Sequence, residues 1–328
     1  MSGNGTTGVI LIVGFTQIAA ALFATVYGGM TSPYLPLYLM AYTLGMRHAL
    51  DADHIAAIDN VSRSMLSRGE RPTGVGLLFA LGHSAVVGAT TLLAAVGASK
   101  LQGSMSHLQT IVATLSSVLA AAILFYLAPR NWRVAWRILR TGTAPTDSVP
   151  GSKPGGLVSR LLARFLTARL RGWHMLLIGA LFGLGFETAT ALSMMALVGT
   201  QSAQGLRVAN LAIFPVLFTA GMVLVDALDG VLMERAYGWA LKRPSRHLIY
   251  NFSVTLVSAL LALFIGLFEA AAAVKQFVAI HGNAVIDYVE GHMDAIGAAV
   301  IIGFALAYGV AALRSARKIS PAGVKTLN

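Results

Sequence analysis

Runs of uninterrupted apolar sequence constrain this chain more than any other feature. A helix needs roughly 20 apolar residues to cross the hydrocarbon core of a bilayer, and it satisfies its own backbone polar groups on the way. Eight stretches reach that length, approximately 8–30, 34–60, 73–98, 107–129, 172–199, 207–234, 247–272 and 293–313. They lack the polar faces that the helices of a large soluble protein turn to water. With 56% hydrophobic and 11% charged residues in 328, and a mean hydropathy of +0.72, the chain lies outside the soluble globular range. The expected fold class is an all-α polytopic membrane protein with about eight transmembrane helices.

The formal charge of +11 would point a soluble protein toward nucleic acid, but here the Lys and Arg residues lie between the apolar runs, so no nucleic-acid partner is expected. Their distribution gives an orientation, because short basic loops stay on the cytoplasmic side. Arg63, Arg68 and Arg71 follow the second span; Arg130, Arg133, Arg137, Arg140 and five further basic residues follow the fourth; Arg235, Lys242, Arg243 and Arg246 follow the sixth; Arg314, Arg317, Lys318 and Lys325 follow the eighth. The opposite loops hold only Lys100, Arg207 and Lys275. Both termini are therefore expected in the cytoplasm, which agrees with an even number of spans. The first run has no preceding Lys or Arg, lacks the basic region of a cleaved signal, and reads as a retained helix.

Three regions follow: 1–129 with helices 1–4, a basic cytoplasmic loop at 130–171, and 172–328 with helices 5–8. The Gly/Pro/Ser/Thr-rich centre of the loop, Thr141 to Gly156, reads as a flexible linker whose basic flanks sit against anionic lipid headgroups. No internal repeat relates the two halves.

Ionisable side chains cost about 2.5–3.5 kcal/mol each at a bilayer centre on insertion scales, so those that persist mark an interior site or pathway. The second span holds Arg47, His48, Asp51, Asp53, His54, Asp59 and Asn60; the third holds His83 between Gly82 and Ser84; the fifth holds Glu187 and Thr188; the sixth holds Asp226 and Asp229. Four helices thus contribute polar groups to one expected interior site. Asp59, next to the basic loop, also fits a helix end in cytoplasmic water. Glu187, Asp226 and Asp229 could pair structurally with Arg47 or with hydroxyls such as Thr188 and Thr219. Asp226 and Asp229 share a helix face, an anionic patch suited to easing a dication through or relaying a proton.

On a straight helix, with His48 at zero, Asp51 falls at about 300°, Asp53 at about 140° and His54 at about 240°. That groups His48, Asp51 and His54 and turns Asp53 away. For Asp53 to be a ligand, either the helix unwinds here or Asp53 meets a neighbouring helix. The remaining role for Asp51 and Asp53 is to accept the distal N–H of a ligating histidine or to neutralise Arg47.

With no Cys, imidazole, carboxylate, thioether and backbone are the available ligands. Two imidazoles beside carboxylates suit nickel, cobalt or zinc; magnesium prefers all-oxygen ligation and cuprous copper prefers sulfur. Met46, Met194, Met195, Met222 and Met233 could supply thioethers, although Met is mostly a packing residue.

These motifs resemble the bacterial nickel/cobalt permease (NiCoT) family. Arg47 to Asn60 looks like its signature of a His, four residues, then Asp-His; Leu81-Gly82-His83-Ser84 with Val86-Val87 resembles its third-helix motif, Leu184 to Thr190 its fifth, and Phe218 to Gly230 its sixth. The resemblance implies eight helices with both ends inside, His48, Asp53 and His54 as the principal metal-handling residues, and His83 close by and able to affect metal choice. Glu187 stands where the family usually has Asp, Ala191 where an acid is common, Ala85 for Thr, and Ala227 where a hydroxyl is usual.

The expected function is a secondary permease of the bacterial inner membrane that takes up Ni2+ and/or Co2+ as its substrate, with no prosthetic group. No Gly-x-x-x-x-Gly-Lys-Ser/Thr motif is present, so no ATPase motif lies in this chain. Metal efflux is the rival transport reading, disfavoured because the chain has no His-rich tract and His281 and His292 are isolated. A membrane metalloenzyme would need an open metal position and a general base, and no His-Glu-x-x-His motif occurs. A third reading makes the chain a subunit of a larger uptake complex.

Overall fold

The computed structural model describes residues 4–28, 33–67, 69–97, 102–142, 172–184, 189–242, 248–278 and 284–317. Its helices are α1 (Asn4–Gly28), α2 (Leu35–His48), α3 (Ala52–Ser67), α4 (Val75–Gly97), α5 (Gln102–Thr141), α6 (His174–Phe182), α7 (Ala189–Ala203), α8 (Val208–Leu211), α9 (Ile213–Lys242), α10 (Leu248–Phe277), α11 (Ala284–Glu290) and α12 (Met293–Arg317). No strand occurs among the described residues. The chain is an all-α polytopic membrane protein. Every apolar run falls on one of these helices or on a pair, and three of the runs are interrupted. The second is α2 and α3, parted at residues 49–51; the fifth is α6 and α7; the sixth is the short α8 and α9.

Five of the described helices, α1, α4, α9, α10 and α12, are individually long and apolar enough to cross a membrane. They divide by burial. In the most apolar stretch of α9, 61% of residues are enclosed, against 11% in α1 and in α12. The outer helices turn Phe15, Val26, Leu306 and Leu313 outward, as the acyl chains of a bilayer permit. Around α9 pack α1, α2, α3 and α4, while α10 lies along α5.

Small residues allow this closeness. Gly45 on α2 meets the carbonyl of Phe218 on α9, and Gly221 on α9 meets the carbonyl of Tyr42, so any Cβ at either position would collide with backbone. Gly82 on α4 lies in the same way against the carbonyl of Leu176 on α6, the close approach expected of its small neighbours. Gln17 ties three helices together: its Nε2 donates to Ala220 O at 2.9 Å and its Oε1 accepts from Tyr42 Oη at 3.0 Å.

The fourth span continues as helix to Thr141, so Arg130, Arg133, Arg137 and Arg140 are helical extensions of it. The remainder of the basic loop, 143–171, lies outside the described residues.

Candidate metal centre

At the break in the second span the chain tightens. Leu50 N–H donates to Arg47 O at 3.1 Å and Asp51 N–H to His48 O at 3.0 Å, the three-residue spacing of a narrowed turn. α3 restarts at Ala52. The interruption brings the His48 ring, on the last residue of α2, beside the His54 ring in the first turns of α3, with centroids 4.8 Å apart. His83, from α4, closes the group at 4.8 Å from His48 and 4.5 Å from His54. The three imidazoles are buried and offer nitrogen atoms within 4.8 Å of one another.

Hydrogen bonding fixes which nitrogens are available. Asp51 Oδ2 lies 3.0 Å from His48 Nδ1, and Thr190 Oγ1, at the start of α7, lies 2.9 Å from the same atom. A carboxylate accepts, so Nδ1 of His48 carries the proton and Nε2 the lone pair. Asp226 Oδ2 on α9 plays the same part for His54, at 3.4 Å from Nδ1, and His54 Nε2 has no hydrogen-bond partner. His48 Nε2 and His83 Nε2 face each other at 2.8 Å. A carboxylate behind each imidazole is the arrangement that orients a metal-binding histidine and raises its basicity. Phe79 stands edge-on to His54 at 4.9 Å and Phe218 lies 5.4 Å from His48, so apolar walls exclude water from the group.

The two aspartates of the signature part company. Asp51 supports His48. Asp53 accepts the backbone N–H of His54 at 2.9 Å, satisfying one of the free donors in the first turn of α3, where negative charge also suits the helix dipole. Neither belongs to the close group of nitrogens.

Elsewhere the polar residues differ from expectation. Asp59 is fully buried, and its Oδ1 accepts from the hydroxyl of Tyr237 on α9, so it is no solvated helix end. Arg63, expected in the basic loop, lies on α3 with its guanidinium 4.3 Å above the Tyr237 ring and donates to Thr255 on α10. Asn60 donates to Ala56 O at 2.6 Å and accepts from Asn131 of α5. Arg47 pairs with Asp294 at the start of α12, not with Asp226, Asp229 or the signature aspartates. Thr219 donates to Pro215 O at 2.7 Å, leaving the acids of α9 without it. Glu187 and Thr188 lie outside the described residues, as does His281. Met194, Met222 and Met233 are buried in apolar clusters, a packing role. His292 stacks on Tyr288 at 4.2 Å, exposed and apart from the centre.

Sequence reading did not find Thr190, Tyr237 or Asp294 as partners. Tyr237 carried a signal, since it extends the Asp226–Asp229 face of α9 at helical spacing; Asp294 had none beyond being a lone acid at the start of a span.

A family model described as "High-affinity nickel-transport protein" matches residues 34–314. Among curated proteins, the chain is 39% identical over 282 residues to the hydrogenase nickel incorporation protein HupN of Bradyrhizobium diazoefficiens, covering 82% of this chain and 73% of that one. It is 40% identical over 241 residues to the high-affinity nickel transport protein of Cupriavidus necator, covering 70% and 67%. It is 35% identical over 316 residues to the cobalt transport protein NhlF of Rhodococcus rhodochrous, covering 92% and 86%. No solved structure matches the chain. Similarity that spans the broken second helix, His83 and the acids of α9 together places this chain in the high-affinity nickel-transport family.

Proposed function

We propose that this chain is a secondary permease, and not an enzyme, that takes up Ni2+ and/or Co2+ across a bacterial inner membrane, with both termini in the cytoplasm. The observation that carries the reading is the closure of His48, His54 and His83 to within 4.8 Å, two of them backed by carboxylates through Nδ1. A borderline dication held at about 2.0–2.1 Å by imidazole nitrogen sets those nitrogens about 3–4 Å apart. The three rings lie close to that spacing, and small movements of α2, α3 and α4 would reach it.

In this reading the ion sheds water for His48, His54 and His83, while Asp51 and Asp226 hold the rings and balance charge. Asp53 organises the turn that lets His48 and His54 face one another. The three regions, 1–129, 130–171 and 172–328, serve as the two helical halves and their basic connection, the last against anionic lipid. An inside-negative potential supplies about 2.3 kcal/mol per charge per 100 mV, twice that for a dication, so the membrane potential alone can drive entry.

Uptake of radioactive nickel and cobalt by cells expressing the chain tests this directly. Parent cells should accumulate metal above an empty vector, and His48→Ala or His54→Ala should return uptake to background. Accumulation no higher than the empty vector refutes uptake; accumulation below it makes the chain an exporter.

A further inference from the structure

The eighth span, α12, is among the least enclosed of the membrane-crossing helices, yet at Gly297 it meets another backbone with no room for a side chain. A Cβ at that position would collide with the carbonyl oxygen of Leu50 and lie 2.6 Å from Ile55 Cδ1. Leu50 belongs to the break between α2 and α3, next to the Asp51 that holds the His48 ring, and Ile55 directly follows His54. The contact therefore falls on the turn that brings the two histidines together.

A broken helix leaves backbone groups in need of partners. In an unbroken helix the N–H of His54 would donate to Leu50 O, four residues back; here it donates to Asp53 Oδ1 at 2.9 Å. The Leu50 carbonyl meets α12 instead, with its oxygen where a Cβ of residue 297 would stand. In glycine a Cα hydrogen points there and makes a weak Cα–H···O contact. The demand for glycine is local to the break, since Gly303, later on the same helix, has nothing within 4 Å of the corresponding position. Other contacts hold α12 to the same place. Asp294, one turn before Gly297 and on the same face, pairs with Arg47 beside His48. Ile296 and Val300 pack against the buried cluster that contains Ala52 and Ala56 of α3.

We infer that α12 braces the broken turn through Gly297, which makes Gly297 a positioning residue for the metal: it touches no ligand atom and sets how His48 and His54 face one another by holding Leu50. A side chain at 297 must displace either α12, which releases the turn, or the turn itself, which moves the histidines. The consequence for metal rests on the reading of the histidines as the metal centre; the brace itself does not.

The test uses the full chain in lipid nanodiscs with Co2+, whose visible absorption reports the number and geometry of its ligands. Gly297→Ala should weaken Co2+ binding by about tenfold or more and change the spectrum of the bound ion, as a loosened support does at a preorganised site. Gly303→Ala makes the same chemical change where there is room, and should leave both at the parent values. Hydrogen exchange followed by mass spectrometry should show faster exchange over residues 47–56 in Gly297→Ala and not in Gly303→Ala. Size-exclusion elution reports folding; if Gly297→Ala does not fold, Ile296→Ala, which loosens α12 without a collision, should shift spectrum and exchange in the same direction by less. A folded Gly297→Ala with the parent's affinity, spectrum and exchange overturns the brace, as does an equal effect of Gly303→Ala. If the parent itself binds no Co2+, the metal-centre reading fails, and the exchange comparison still decides whether α12 holds the turn.

Discussion

The same two helices, α3 and α9, carry two buried polar groups built on opposite principles. At the histidine centre each partner has a defined role. Asp51 and Thr190 hold His48, Asp226 holds His54, and Phe79 and Phe218 wall the rings from water. Farther along, Asp59 leans on Tyr237 and Arg63 on Thr255, while both Asp229 oxygens remain unpartnered. The first group is preorganised for a ligand that binds nitrogen; the second holds carboxyl oxygens without partners beside one tyrosine and one guanidinium. Metal affinity should therefore reside in the first, and folding stability in the second.

The sharpest way to break this division is to remove one supporting carboxylate of the signature at a time. Asp51→Asn keeps shape but replaces the acceptor that fixes the His48 tautomer, and loss of such an outer partner typically costs about 10–100-fold in metal affinity. Asp53→Asn removes only a first-turn carboxylate of α3 and should cost about 0.5–1 kcal/mol of stability, with a few-fold effect on nickel affinity at most. Equilibrium dialysis with radioactive nickel on the purified variants measures both. Equal losses, or a larger loss for Asp53→Asn, would make Asp53 the ligand and end the division of labour proposed between the two aspartates.

Tyr237→Phe probes the other group. It deletes the hydroxyl that donates to Asp59 and leaves a buried carboxylate short of a donor, at about 1–3 kcal/mol. Thermal unfolding in detergent should shift downward while nickel affinity at the histidines stays within a few-fold of the parent. A selective loss of affinity with unchanged unfolding would merge the two groups into one centre.

How far these groups could be read from the residues alone depended on whether the partner was near in sequence. Length and hydropathy located the apolar runs on which the helices form, among them the five described helices long and apolar enough to cross a membrane, because the bilayer sets a minimum that few other constraints share. The helical wheel correctly faced His48 with Asp51, and it left the unwinding open because a wheel assumes the straight helix that residues 49–51 interrupt. The long-range pairs were not legible. Asp226 behind His54 and Tyr237 against Asp59 are joined across the α3–α9 interface, and the bundle around that interface depends on glycine contacts such as Gly45 with Phe218 O, which no periodicity announces. Asp59 misled for the opposite reason: closeness to Arg63 and Arg68 in sequence looked like closeness to water, whereas α3 carries Arg63 back into the bundle to lie over an aromatic ring.

Arg47 sharpens the comparison from outside both groups. It sits one residue from His48, yet its side chain is 54% exposed and its partner is Asp294 at the start of α12. An exposed pair of this kind contributes about 0–1 kcal/mol after solvent screening and side-chain ordering. Arg47→Ala should therefore leave unfolding temperature and nickel affinity close to the parent, with the small difference shrinking further at high salt. A loss as large as that of Asp51→Asn would mean that its charge is felt inside the centre, that sequence proximity to His48 outweighs exposure, and that the histidine group is less insulated than its aromatic walls imply.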